Sequence, residues 1–481
     1  MDLLSVIFAI LLPWLLGIAV LAAVKPDPRD FAGPGEVAWL AGAGYLAGAF
    51  LLTLWMRALS LAGIKFGLAA IALPVGLATA ICALLVWRRG AGALPRAVGH
   101  GLRALVASPG LAGAARVAWW VLVLWLAIRF AVLGVEVASR PLYPWDAWTQ
   151  WATKARVWFE LGHIAPFARV TEWLAANGAV YFDASPEYPP TMPLLQVWSC
   201  IALGRWDDVL MNAPWWQVGV ALALAVYGGL RSLDAGAPAA LVGAFLVASL
   251  PLANVHIALA GYADLPMAAF YTVAALAFLR WNASRQWRDA AVALLLALAC
   301  TQIKNPGWFW AATLLPGLVV TLLPRHGMRV VFSGFAAVIV LLVVLARFKL
   351  SLFNYQLNLN YQPAWGDLAE SYFLLGNWHL LWYGAIALAL LAWRELLAPG
   401  LAPLTAIVGG GLLFLFVVFG FTTASLYITD QTTVNRATLH VAPLIVVFVV
   451  LAWEAFARRW AADRAPATSS PRPPNAGVVG S

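Results

Sequence analysis

The chain has 481 residues, 63% of them hydrophobic and 11% charged, with 30 Lys+Arg against 21 Asp+Glu for a net charge of +9. Soluble domains carry about 45–50% apolar and about 25% charged residues, so this composition excludes a soluble globular protein. The basic residues are scattered over short loops rather than gathered into a patch, which argues against nucleic acid and for membrane topology and contact with the lipid bilayer.

Hydropathy predicts thirteen membrane spans, at roughly 3–24, 37–57, 66–87, 117–137, 212–230, 238–256, 264–280, 289–303, 307–323, 329–347, 377–393, 401–421 and 439–457. The first carries Asp2 where a signal peptide would carry Lys or Arg, so it reads as a retained helix. Cys82, Cys200 and Cys300 lie in or beside apolar segments without a pairing or metal-ligand spacing, and no disulfide framework is expected. With the 88–116 loop and the C-terminal tail in the cytoplasm, cytoplasmic segments hold 18 of the 30 Lys and Arg residues and outer segments 11. The large loop 138–211 then faces outward, together with 257–263, 304–306, 348–376 and 422–438. Within it, Met192 to Leu203 is apolar but too short to span, which predicts a helix that dips in or lies flat. Residues 458–481, rich in Pro, Ala and Ser at their end, read as a disordered cytoplasmic tail. No internal repeat is visible, which weighs against inverted-repeat transporters.

After Pro144 the pattern is helical, with Trp148, Trp151, Ala155 and Trp158 on one face and Gln150, Lys154 and Arg156 pointing elsewhere. Such a Trp-rich helix is expected along the outer bilayer surface. Asp146 stands at its start. It reads equally as an N-cap carboxylate and as a general base held at the membrane surface, and a helix N-terminus favours the ionised form that both need. Farther on, Asp183 and Glu187 fall in a Pro-rigidified turn and read as solvated loop acids.

Other outer span ends carry polar groups that the rest of the chain avoids. Tyr262-Ala263-Asp264-Leu265-Pro266 opens one span, where Asp264 reads as a cap. Lys304-Asn305 sits between two spans against the inside bias of positive charge. Asp430, Asn435, Arg436 and His440 precede the last span. Unlike charges converging at one depth point to an anionic headgroup site. Arg129 and Glu136, two turns apart within one span, read as a contact between bundle helices.

At these residues the sequence resembles the bacterial C-type (GT-C) membrane glycosyltransferases, which include protein O-mannosyltransferases and the aminoarabinose transferase of lipid A. The likeness rests on Trp145-Asp146-Ala147-Trp148 with Trp151 and Lys154, Glu187-Tyr188-Pro189-Pro190, Gly261 to Pro266, Lys304-Asn305, and Arg436 with His440 and Pro443. It covers roughly residues 117–457. Three extra spans within 1–116 precede that module, and no soluble C-terminal domain follows it. In place of the commoner His-Pro-Asp-Tyr-Pro version of the second motif, this chain has Glu187 without the His.

The resemblance implies a GT-C-like, all-α polytopic bundle of about 13 transmembrane helices in the bacterial inner membrane. It implies transfer of a sugar from a polyprenyl-phosphate-linked donor to a glycan, lipid or protein acceptor at the outer face, with Asp146 as the base. Inverting transfer needs a carboxylate on one sugar face and cations at the departing phosphate on the other. Lys304 and Arg436 fit the phosphate role, with Lys154 in reserve. Asp264, Glu187, Tyr188, Trp148, Asn305 and His440 fit sugar or acceptor contacts, and Asp264 could instead orient Lys304. No cofactor or metal is expected beyond the donor itself. A lipid-linked-oligosaccharide transporter and an O-antigen ligase- or polymerase-like protein are the rival readings.

Overall fold

The computed structural model describes residues 2–25, 31–90, 94–106, 110–348, 361 and 364–464. Its helices run, in chain order, α1 Asp2–Ala23, α2 Glu36–Leu61, α3 Leu68–Gly90, α4 Leu94–Val106 and α5 Gly113–Ser139. The segment between α5 and the second half follows with α6 Ala152–Leu161, α7 Val170–Ala175 and α8 Thr191–Leu203, and two short parallel strands pair Phe167 with Tyr181 and Ala168 with Phe182. The second half comprises α9 Ala213–Ser232, α10 Ala237–Ser249, α11 Pro251–Ala258, α12 Asp264–Ser284, α13 Trp287–Thr301, α14 Gly307–Ala312, α15 Leu314–Leu322 and α16 Gly327–Phe348. It ends with α17 Trp365–Ala369, α18 Leu381–Leu391, α19 Trp393–Leu396, α20 Ala402–Phe421, α21 Thr432–Leu439 and α22 Ala442–Arg464.

Each of the thirteen expected spans falls on helix. Among the described residues seven helices are long and apolar enough to cross a membrane, namely α1, α2, α3, α5, the helix through α9, α16 and α20. Two bent pairs, α10 with α11 and α21 with α22, raise the number to nine. The expected spans at 264–280, 289–303, 307–323 and 377–393 fall on α12, α13, α14 with α15, and α18, which are shorter or more polar than a lone span. Helices buried among other helices are as apolar as lipid-facing ones, so hydropathy does not separate the two. α12 is the clearest case: Leu265 through Ala277 have no more than 1% exposure each wherever the residue is apolar.

Proline fixes where the bent pairs break. Pro251 lacks the N–H that would bond the carbonyl of Val247, and α10 and α11 diverge by 59°. Pro443 likewise cannot donate to Leu439, and α21 and α22 diverge by 51°. Both breaks aim polar side chains at one end of the bundle.

The N-terminal helices belong to the same core. α2 packs along α1 and α9 at backbone contact, where Gly42 lies against Ala221 and Gly228 against Trp39. The Met192–Leu203 segment is helix as expected, but it is packed beneath α1 and α6, with Trp198 Nε1 donating to the carbonyl of Ala9 at 3.0 Å. Most of its side chains are buried against these helices. α22 continues through Arg464, beyond the expected start of the tail at 458, while 465–481 and residues 349–360, 362 and 363 of the 348–376 loop lie outside the described residues.

A charged cluster at one end of the bundle

Asp146, Asp264, Lys304 and the Arg436–His440 pair come from four separate stretches of sequence and meet at one point. Arg436 is the hub. Its Nη2 donates to Asp146 Oδ2 at 2.6 Å and its Nε donates to Asp264 Oδ2 at 2.9 Å. Lys304 Nζ donates to Asp264 Oδ1 at 2.6 Å, and His440 Nε2 lies 2.9 Å from the same oxygen. The Arg436 guanidinium also rests on the ring face of Tyr262, 4.4 Å from its centroid.

The protonation of His440 follows from its partners. Trp310 Nε1, which can only donate, bonds His440 Nδ1 at 2.9 Å. Nδ1 therefore accepts, Nε2 carries the hydrogen and donates it to Asp264, and the ring is neutral. Two carboxylates thus face two basic side chains, Lys304 and Arg436.

The two acids differ in access. The Asp264 side chain has 0% exposure and both oxygens are occupied, whereas the Asp146 side chain is 23% exposed. Asp264 organises the cluster from beneath, and Asp146 is the carboxylate within reach of another molecule. Neither is spent on capping: the Asp146 side chain makes no cap bond, although it precedes a helical turn.

Local backbone chemistry builds this arrangement. Gly261 adopts φ +122°, and a Cβ there would come within 2.3 Å of the Ala147 Cβ. Only glycine lets the loop before α12 lie against the residue that follows Asp146. Lys304 sits on a tight turn between α13 and α14, where a Cβ on Gly307 would lie 1.9 Å from the carbonyl oxygen of Cys300.

The Trp-rich segment differs from its predicted face. Trp151, Ala155 and Trp158 are buried together, but Trp148 is 51% exposed. Residues Ala147–Trp151 form a π-helical turn, whose wider winding takes Trp148 off the shared face. Trp148 instead packs edge-on against Trp145 at 5.4 Å and donates its Nε1 to the carbonyl of Tyr143.

Lys154 and Asp183 also depart from expectation. Lys154, expected off the apolar face, has 1% exposure, and Asp183, expected in solvent, has none; they pair at 3.2 Å. Lys154 also donates to the carbonyl of Ser185 at 2.6 Å. Burial pushes the Lys154 ammonium down and the Asp183 carboxyl up from their ordinary values, each opposed by its partner. Lys154 in this state faces Trp151 and Tyr188, whose rings stack at 5.1 Å with 5° between planes. The Tyr188 hydroxyl is raised by burial and then by the nearby Asp264 carboxylate, so it lies in the field of the cluster.

The remaining candidates fall outside the hub. Glu187 is exposed, 3.7 Å from Arg169. Asn305 is exposed on the Lys304 turn. Asp430 accepts from the backbone N–H and hydroxyl of Thr432, and Asn435 accepts from Ser371 and Trp378, so both organise their own segment. Arg129 does bridge two bundle helices, donating to Asn254 at 2.8 Å, while Glu136 pairs with Arg140 one turn away.

Sequence reasoning passed over three participants. His256 lies 4.0 Å from Asp264 with its Nε2 buried and unpartnered, because the α10–α11 bend turns it inward. Trp310 sets the state of His440. Arg57 on α2 donates to Gln302 and Thr191 and has no ion-pair partner among the described residues, which ties the N-terminal helices to the turn carrying Lys304. The signal for His256 and Arg57 was a titratable residue inside an otherwise apolar run.

Fold and site together define an all-α, multi-pass membrane protein with a charged cluster at one end of its helix bundle. No protein-family model matches the chain, and neither the curated proteins nor the solved structures contain a match.

Proposed function

We propose that this protein is an inverting membrane glycosyltransferase that uses a polyprenyl-phosphate-linked sugar as donor. The observation that carries the reading is the pairing of one accessible carboxylate, Asp146, with Arg436, next to Lys304 and above the buried Asp264. In this reading the chain crosses the bacterial inner membrane thirteen times, and the cluster faces the periplasm.

The chemistry uses these residues as follows. An acceptor hydroxyl on a glycan, lipid or protein gives its proton to Asp146 as its oxygen bonds the anomeric carbon. The bond from that carbon to the phosphate oxygen breaks on the opposite face, and its electron pair leaves with the polyprenyl phosphate. Lys304 offsets the charge that grows on that phosphate, while Arg436, bonded to Asp146 at 2.6 Å, holds the base in place. Asp264 fixes both cations, and neutral His440 completes its hydrogen bonding without adding charge. Tyr188, half-buried and backed by the buried Trp151 it stacks on, supplies an aromatic surface for a sugar ring. A polyprenyl tail must stay in lipid, which suits a site at the end of apolar helices.

The test is transfer or release of radiolabelled sugar from a panel of polyprenyl-phosphate sugars by protein in nanodiscs, for the native chain and for Asp146→Asn. Release that requires Asp146 is the expected result. Folded protein that releases sugar from none of the donors overturns the reading.

A further inference from the structure

A concave site lies at the end of the bundle opposite the charged cluster. α12 runs from Asp264 in the cluster to Ser284, a rise of about 30 Å at the usual helical pitch. Beside its far end opens a cavity of about 690 Å³, framed by the segments that follow α9, α12, α15 and α19 and by the last turns of α22. Its charged lining comprises Arg285, Arg325, Arg329 and Arg458 against Asp234 and Glu454.

The charges are not balanced within the protein. Arg458 pairs with Glu454 at 3.4 Å and donates to the carbonyl of Asp234 at 2.7 Å. Arg285 lies over the Trp281 ring at 5.4 Å. Among the described residues Arg285, Arg325 and Arg329 have no ion-pair partner. The rest of the lining is largely apolar, with Leu279, Val320, Met328, Leu404 and Leu451 on the walls. Cations without counter-charges above an apolar wall match a molecule with an anionic head and a hydrocarbon body.

We propose that this cavity binds an anionic phospholipid, with its phosphate among Arg285, Arg325 and Arg329 and its acyl chains along the apolar wall. A free phosphate ion would use the arginines but leave the wall empty. The proposal is independent of the transferase reading, because it concerns other residues at the other end of the molecule.

The experiment reads lipid retention, not activity. Full-length protein is purified from nanodiscs containing phosphatidylglycerol and phosphatidylcholine, and the retained lipids are quantified by mass spectrometry. Phosphatidylglycerol is retained preferentially, and Arg325→Gln with Arg329→Gln weakens its retention about thirtyfold, from roughly 1 kcal/mol for each arginine. Arg325→Lys with Arg329→Lys keeps the charge and most of the retention, which separates loss of binding from loss of fold. Equal retention of both lipids, or retention unchanged in the Gln variant, overturns the proposal. So does inorganic phosphate that raises the melting temperature as much as phosphatidylglycerol does, which would assign the site to a small anion.

Discussion

Arg436 Nη2 lies 2.6 Å from Asp146 Oδ2, joining residues 290 positions apart, while the same guanidinium holds the buried Asp264. The accessible carboxylate of the 138–211 loop is thus fixed by a cation from the penultimate helix.

Replacing Asp146 with Asn keeps the volume and removes the proposed base. Sugar transfer falls by at least about a hundredfold while the melting temperature stays near that of the native chain. Turnover at the native rate in a radiolabel assay would exclude Asp146 from the chemistry.

Arg436→Lys retains the charge but not the fork, and an ammonium cannot span both carboxylates. The variant folds, yet transfer drops more than tenfold because Asp146 is no longer held beside Asp264. This figure is about the effect of one lost charge-assisted hydrogen bond. Steady-state kinetics on detergent-solubilised protein would reveal an unaffected kcat if the link is only structural.

The Lys154–Asp183 pair is a matter of stability. Lys154→Met or Asp183→Asn alone strands a buried polar group or charge and destabilises by about 3–5 kcal/mol. The double variant Lys154→Met with Asp183→Leu recovers most of that loss. Equal destabilisation by the single and double variants in a chemical unfolding series would show that the two residues are not coupled.

Gly261→Ala imposes a left-handed φ on an alanine and drives its methyl into Ala147. The expected cost exceeds about 1 kcal/mol, and the loop moves away from Asp146. Limited proteolysis of the 141–162 segment, faster in the variant than in the native chain, would register that movement.

Membrane character, the thirteen helical stretches and the candidate charges at loop ends were legible in the sequence, because apolar run length and charge placement are local properties. Burial within the bundle was not, since Leu265 to Ala277 on α12 is as apolar as a lipid-facing span. The π turn at Ala147–Trp151 hid the orientation of Trp148, as one extra residue in a turn rotates the side chains before it. Asp183 looked like a solvent acid because its partner Lys154 lies 29 positions away.

The sequence by itself determined that this chain belongs in a bilayer and which few polar residues its apolar helices tolerate. Only the tertiary structure decided their partnerships. Asp146, Asp264, Lys304 and the Arg436–His440 pair stand on four separate elements, and bends at Pro251 and Pro443 with close packing at Gly261 bring those elements to one depth. The physical reason is that ion pairs and hydrogen bonds act over about 3 Å, whereas a linear pattern reports only neighbours along the chain.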